Sequence, residues 1–267
     1  MKEQLGRMEA QFFAYAQMRK MRAVRRGDLP GSMLRLTPDQ ERKLLSRLSR
    51  KRMIARVRRG LYLVPPRLPL GGAWTPDEIL AINTLIEDRE GRYQICGPNA
   101  FNRYGYDEQV PNRIYAYNNR ISGDRMIGAV NLTLIKVADE RLGETEEQKT
   151  VDGETAVYSS RARTLLDAVY DWSRFGSLPR AYDWIRTDLR AGRVRPAELV
   201  RITLRYGDVG AIRRIGALLE REGVDGRQLR RLALDLRTPK NPIPWIPGRP
   251  RRGAIDPRWG VVRNDRA

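Results

Sequence analysis

Residues 53–64 read MIARVRRGLYLV, a pattern typical of two short strands joined by a tight turn. Apolar and basic residues alternate from Ile54 to Arg58, which is the period of a strand with two different faces. Arg59-Gly60 supplies the turn, and residues 61–64 return as the second strand. The segment is therefore predicted to be a β-hairpin. Its surface carries three arginines, Arg56, Arg58 and Arg59.

A helix is predicted immediately before this hairpin. Thr37-Pro38 combines an N-cap residue with proline at the first helical position, and the helix should run to about Arg52. At 100° per residue, Leu44, Leu45 and Leu48 fall on one side and should pack inward. The opposite side is cationic and rich in hydrogen-bonding groups. It includes Arg42, Lys43, Ser46 and Arg50.

Two further helices are predicted upstream, at residues 5–18 and around residues 23–33. Three helices followed by a basic hairpin is the order of a winged helix-turn-helix, in which the third helix enters the major groove and the hairpin approaches phosphates or the minor groove. The alternative is a helical bundle whose basic face is simply solvated. The predicted DNA contacts are Arg42, Lys43, Ser46, Arg50, Arg56, Arg58 and Arg59.

The charge distribution also indicates a nucleic-acid partner. The chain of 267 residues has 51 Lys and Arg against 32 Asp and Glu, a net charge of +19. Residues 1–64 carry 17 basic and 5 acidic residues, whereas residues 65–157 carry 10 and 15. A basic module at one end of the chain is what binding to a polyanion requires. A solvated basic surface without a partner is the alternative.

The residue inventory argues against an enzyme. The absence of histidine excludes Ser-His-Asp and Cys-His nucleophile systems, and one cysteine, Cys96, leaves no zinc site of the usual kinds. No glycine-rich phosphate loop is present. The acidic residues Glu144, Glu146 and Glu147 are expected in a solvated loop, so a nuclease would lack its carboxylate cluster. No catalytic residue, metal or cofactor is predicted.

The remainder of the chain is predicted to form a larger second domain, residues 75–267, after a proline- and glycine-rich linker at 65–74. Its fold should be mixed α/β and then mainly helical from Ser160 to Arg237, with the first helix beginning at Thr75-Pro76. The proline-rich tail, residues 238–267, contains Trp245 and Trp259 and should fold back against the body. The whole protein is predicted to be α+β. Strands are expected at 93–96, 113–117, 131–137 and 154–158.

The chain is expected to lie in the bacterial cytoplasm, on the nucleoid when bound to DNA. No window approaches 18 uncharged apolar residues, so no membrane span is predicted. The first residues have no apolar signal region. The single cysteine suits a reducing compartment.

Several short motifs, in order along the chain, give the sequence a family resemblance. They are RVRRGLY at 56–62, ICGPNAF at 95–101, Tyr104-Gly105, Gln109-Val110-Pro111, RTLLD at 163–167, PRRG at 250–253 and Arg258-Trp259-Gly260. Together they resemble the AbiEi antitoxins of type IV, or abortive-infection, toxin–antitoxin systems. The sequence departs from that pattern between the first and third helices, where it is arginine-rich and contains Pro30-Gly31.

The resemblance implies two activities. The N-terminal domain would bind inverted repeats in double-stranded DNA of its own promoter and repress the operon. The C-terminal domain would counteract a nucleotidyltransferase-like toxin encoded in the same operon, without the need for a stable complex. The residues alone leave open a stand-alone regulator that senses a ligand or partner through residues 75–237. Asn99, Tyr104, Gln109, Arg163 and Asp167 match the resemblance, yet each has a plain structural interpretation.

Overall fold

The computed structural model describes residues 5–29, 36–68, 73–234, 236 and 241–265. Along the chain, a small N-terminal unit is followed by a six-stranded sheet and then by a bundle of helices. The predicted α+β class, with a mainly helical region toward the C-terminus, is confirmed. None of the helices in the described ranges is long and apolar enough to cross a membrane.

The N-terminal unit packs two helices against a three-stranded antiparallel sheet of order β1-β3-β2. Phe12, Leu44 and Leu48 lie at the centre of its core. The hairpin predicted at residues 53–64 is present, and Gly60 takes the positive φ of 81° that its turn requires. The elements are α1 (Arg7–Met18), β1 (Ala23–Arg25), α2 (Pro38–Arg50), β2 (Ala55–Arg58) and β3 (Leu61–Leu63).

The helix predicted around residues 23–33 is wrong where the structure describes it. Residues 23–25 form β1, in which Val24 lies opposite Tyr62. Residues 26–29 turn, and the buried carboxylate of Glu41 accepts hydrogen bonds from the Gly27 N–H at 2.9 and 3.0 Å. Gly27 has φ 105°, which ends the strand and is not helical. Residues 30–35 lie outside the described part, so the three-helix order of a winged helix stays a prediction.

The second unit is built on a sheet of order β6-β7-β5-β4-β9-β8, with both parallel and antiparallel pairs. Helix α3 (Glu78–Glu87) packs its buried face against this sheet. The helix α4 (Gly97–Arg103) follows the first of the strands. The strands are β4 (Tyr93–Ile95), β5 (Ile114–Asn118), β6 (Gly123–Ile127), β7 (Val130–Lys136), β8 (Thr145–Lys149) and β9 (Thr155–Ser159).

Two predictions for this unit are corrected. Thr75-Pro76 does not begin the helix, because Asp77 caps it by accepting from the Ile79 and Leu80 N–H groups, both at 2.9 Å. The acidic run expected in a loop instead belongs largely to the edge strand β8, which pairs with β9. Every side chain of β8 is exposed, so the strand is stabilised by its backbone ladder and leaves no hydrophobic period in the sequence.

The helical region follows the prediction closely. Ser160 caps its first helix by accepting from the Arg163 N–H at 3.3 Å. The tail folds back as three two-residue strands, with Trp245 and Trp259 buried, as expected. The helices are α5 (Arg161–Tyr170), α6 (Trp172–Phe175), α7 (Arg180–Arg190), α8 (Pro196–Tyr206), α9 (Val209–Arg221) and α10 (Gly226–Leu234), and the strands are β10 (Ile243–Pro244), β11 (Ile255–Asp256) and β12 (Val261–Val262).

The N-terminal unit is joined to the sheet unit by more than the chain connection. Ala55 and Leu63 of the hairpin are buried in the same core as Ile79 and Ile82 of α3. The Trp74 N–H donates to the Arg52 carbonyl at 2.8 Å. The hairpin is therefore held between its own helices and the second unit.

Candidate nucleic-acid interface

Helix α2 is fixed so that its basic side faces solvent. Leu44, Leu45 and Leu48 are at most 2% exposed and fasten the opposite side to the core. A capping box orders the first turn, since the Thr37 N–H donates to Gln40 Oε1 at 2.9 Å and the Gln40 N–H donates to Thr37 Oγ1 at 3.3 Å. The four predicted contact residues of this helix are all exposed: Arg42, Lys43, Ser46 and Arg50.

Asp39 lies among these cations and pairs with two of them. Its carboxylate is 2.5 Å from Arg42 Nη2 and 2.9 Å from Lys43 Nζ. Hydrogen bonds from Arg42 and Lys43 lower the pKa of Asp39 to about 2. Ion pairs this exposed to solvent contribute little to stability, so a phosphate can replace the carboxylate at small cost.

Arg47 on α2 and Lys51, the C-cap residue of that helix, have a structural role instead. Arg47 Nε lies 2.8 Å and Lys51 Nζ 3.3 Å from the carboxylate of Glu9, whose side chain is 2% exposed. Burial raises the pKa of Glu9, but hydrogen bonds from the Gly6 N–H, Lys51 and Arg47 outweigh it and leave the pKa below its ordinary value. These contacts fasten α2 to α1.

The hairpin presents two of its predicted cations freely. Arg56 and Arg59 are exposed and have no ion-pair partner among the residues that the structure describes, and the same holds for Arg50 on α2. The hydrophobic back of the hairpin is buried, so its arginines are carried on a rigid support.

Arg26 is a further cation of this surface that the sequence analysis missed. Its N–H donates to the Gly60 carbonyl at 2.8 Å, which places it beside the hairpin turn. Its side chain is exposed and has no ion-pair partner in the described part of the chain. The prediction of a helix at 23–33 concealed it, although Gly27-Asp28 is a turn signal that could have placed it. We call Arg26, Arg50, Arg56 and Arg59 the unpaired arginines.

Arg58 differs from the other hairpin arginines because it faces the second unit. Its Nε and Nη2 lie 2.5 and 2.6 Å from the two carboxylate oxygens of Asp88, a bidentate pair. Arg25 and Arg89 approach the same carboxylate at 3.6 and 3.9 Å. The hydrogen bonds from Arg58 are the largest cause of the lowered pKa of Asp88. Arg58 is thus not a free cation in this structure.

The C-terminal residues singled out by the resemblance have structural partners. Arg163 and Asp167 are both buried and pair at 2.9 Å, four residues apart on α5. The Asn99 side chain donates to the Arg113 carbonyl at 3.0 Å and accepts from the Tyr115 N–H at 2.8 Å. The Tyr104 hydroxyl donates to the Ser159 carbonyl at 2.9 Å. Only Gln109 is exposed, in a loop.

The described residues contain no group of three or more acidic, cysteine or histidine side chains placed to hold a metal ion. Cys96 is fully buried, and burial raises the pKa of its thiol well above the ordinary value. The N-terminal unit carries exposed arginines that have no ion-pair partner in the described part of the chain, so electrostatic attraction of an anion is the chemistry that this surface offers.

Comparison with known proteins yields a likeness of fold. No family model and no curated protein matches the chain. The crystal structure of the RV2827C protein from Mycobacterium tuberculosis is similar, with a TM-score of 0.59, over 97% of this chain and 92% of that chain. The two sequences are 16% identical, so the similarity concerns the arrangement of elements alone.

Proposed function

We propose that this protein is a DNA-binding transcriptional autorepressor and an antitoxin that counteracts a nucleotidyltransferase-like toxin encoded in the same operon. The observation that carries the DNA-binding role is the group of exposed, unpaired arginines on the N-terminal unit. Arg50 projects from a capped helix, Arg56 and Arg59 from the adjoining hairpin, and Arg26 from the turn beside it. Such a surface is suited to the phosphates of duplex DNA.

Within this proposal, α2 enters the major groove and the hairpin follows the backbone. Ser46 and Arg50 supply groups that can reach base edges, and an arginine that pairs bidentately with guanine contributes about 1–3 kcal/mol of discrimination. Arg42 and Lys43 exchange Asp39 for phosphate. Arg26, Arg56 and Arg59 bind phosphates and so strengthen binding to every sequence alike.

The antitoxin role rests on the family resemblance and is assigned to the larger unit, residues 75–267. The resemblance favours an operon partner of the nucleotidyltransferase type and promoter DNA with inverted repeats. Co-expression tests this role directly. Growth arrest caused by the neighbouring toxin should be relieved by the intact chain, and it should also be relieved by a variant that no longer binds the promoter.

DNA binding is tested by fluorescence anisotropy with the duplex upstream of the gene and with a scrambled duplex, between 50 and 200 mM salt. The upstream duplex should bind more tightly, and the affinity should fall steeply with salt because each neutralised phosphate contributes about 0.9 to the logarithmic slope. Equal affinity for the two duplexes would rule out an operator-reading repressor.

Arginine variants localise the contact surface. Arg26→Ala and Arg59→Ala should each reduce the salt slope by about 0.9 and weaken both duplexes similarly. Arg174→Ala is the matched control, because Arg174 is an exposed arginine of the helical region and pairs with Asp171 at 3.0 Å. If Arg174→Ala lowers the slope as much as Arg59→Ala, net charge rather than this surface governs binding.

One observation favours the alternative of a ligand-sensing regulator. A cavity of about 500 Å³ lies between α3 and the β4–β9–β8 edge of the sheet. Asn83, Tyr93 and Gln94 line it together with Leu142 and Val157, a mixture of polar and apolar groups on the scale of small-molecule sites. A nucleotidyltransferase-type reading frame next to the gene supports the antitoxin, and its absence supports the regulator.

A further inference from the structure

Asp88 stands at the point where the second unit meets the basic surface. It is the C-cap residue of α3, and its side chain is only 4% exposed. A carboxylate at the C-terminal end of a helix is disfavoured by the helix dipole and by burial, so it requires cationic partners. Arg58 and Arg25 of the N-terminal unit supply two of them, and Arg89 supplies a third.

The hairpin is shaped so that Arg58 turns toward Asp88. The β2–β3 register shifts between Arg56 and Arg58, which brings Arg58 opposite Leu61. Arg25 is also paired with Leu61, from the other side of β3. Arg25, Leu61 and Arg58 therefore form one row across the sheet, and this row faces α3. Arg56 and Arg59, on either side of Arg58, remain exposed.

The Arg58–Asp88 geometry is the one in which arginine binds phosphate. Two parallel N–H donors of one guanidinium meet two oxygens of one anion, at 2.5 and 2.6 Å. The side chain of Arg58 is nevertheless 40% exposed, so an anion arriving from solvent can reach it. Other contacts between the two units do not involve Arg58. Arg22 donates to the Asp152 carbonyl at 2.7 Å, and the hairpin shares a buried core with α3.

We propose that Asp88 is an internal competitor of DNA phosphate for Arg58, so that the second unit weakens DNA binding by holding one arginine of the hairpin. This inference rests on the proposed DNA-binding function. DNA that reaches Arg58 must break its bond to the second unit, and any event that strengthens the Arg58–Asp88 pair lowers DNA affinity. Because Asp88 already occupies Arg58, Arg58→Ala should weaken DNA binding less than Arg59→Ala does.

The competitor is removed by Asp88→Asn, and Glu90→Gln is the matched control. Glu90 is exposed in the same loop, its carboxylate has no ion-pair partner in the described part, and the substitution changes net charge equally. With a random-sequence duplex of about 20 base pairs at 50 mM salt, Asp88→Asn should bind about fivefold more tightly, because Arg58, whose side chain is 40% exposed, is no longer held by the buried carboxylate. Its salt slope should be steeper by about 0.9, since one further phosphate is neutralised.

The increase in DNA affinity caused by Asp88→Asn must depend on Arg58. The double variant Asp88→Asn/Arg58→Ala should return to the affinity and slope of Arg58→Ala alone. Equal effects of Asp88→Asn and Glu90→Gln would overturn the proposal, as would a gain that persists without Arg58. If Arg59→Ala weakens DNA binding and Asp88→Asn leaves it unchanged, the competitor proposal is refuted and the proposed DNA-binding function is not. If neither the wild type nor Asp88→Asn binds DNA, both the competitor proposal and the proposed DNA-binding function are refuted.

A measurement on the wild-type protein guards against misfolding of the variant. The Arg58 Nε–H signal in a ¹⁵N NMR spectrum, assigned by its loss in Arg58→Lys, should be visible in the free protein because the ion pair slows proton exchange. Saturation with the same duplex should shift it. An Arg58 signal that is unchanged when the protein is saturated with duplex would show that Asp88 keeps Arg58 and would overturn the exchange.

Discussion

Glu9→Gln probes the contact that positions helix α2. The Glu9 carboxylate is 2% exposed and accepts from Arg47 Nε at 2.8 Å, the Gly6 N–H at 3.1 Å and Lys51 Nζ at 3.3 Å. Glutamine offers one acceptor and directs two N–H donors at groups that are themselves donors. Hydrogen bonds to charged groups contribute about 1.5–3 kcal/mol, so the variant should lose about 2 kcal/mol of unfolding free energy at pH 7.

The pH dependence gives this prediction its sharpest test. The folded pKa of Glu9 lies below its ordinary value of 4.5, so its stabilisation is complete above that value and is lost as the pH falls through the folded pKa. Urea unfolding of the two proteins should therefore differ by about 2 kcal/mol at pH 7, and the difference should narrow below pH 4.5. Glu108→Gln, at an exposed loop position, is the control. A difference that stays constant from pH 7 to pH 3 would refute the reasoning.

Two further predictions concern the helical region. Gly216→Ala would place a Cβ 2.2 Å from the buried ring of Trp259, so we expect the free energy of unfolding, measured by thermal unfolding, to fall by about 1–3 kcal/mol. At the control position Gly226 a Cβ meets nothing within 4 Å, so Gly226→Ala should leave the stability unchanged. Equal effects of the two substitutions would contradict the packing argument. Asp167→Asn removes the ion-pair partner of the buried Arg163 and should lower the free energy of unfolding in urea by about 3–5 kcal/mol. Asp183→Asn, in an ion pair whose Asp183 side chain is 72% exposed, should change it by less than about 1 kcal/mol. A small effect of Asp167→Asn would show that the Gly143 and Arg141 carbonyls, to which Arg163 also donates, are sufficient for the buried guanidinium.

Local signals in the sequence were sufficient for many elements. The alternation around Arg56 and the Arg59-Gly60 turn predicted the hairpin, and Thr37-Pro38 predicted the start of α2. The helices after Ser160 follow their own periodicity, and two tryptophans in a proline-rich tail predicted its burial. Each of these features depends on residues a few positions apart, where the period of the chain and the capping groups act directly.

The tertiary structure decided which cations of the surface are free. In the sequence, Arg47 and Arg58 look like the arginines around them. In the structure, Glu9 pairs with Arg47 across 38 residues, and Asp88 pairs with Arg58 across 30 residues. Arg26 became part of the surface only when β1 paired with β3, a contact that also spans more than thirty residues. The exposed strand β8 has no apolar period at all and exists through its ladder with β9. Sequence determines the charge and the local elements, whereas long-range pairing determines which charges already have a partner, because an ion pair depends on distance in space and leaves no period along the chain.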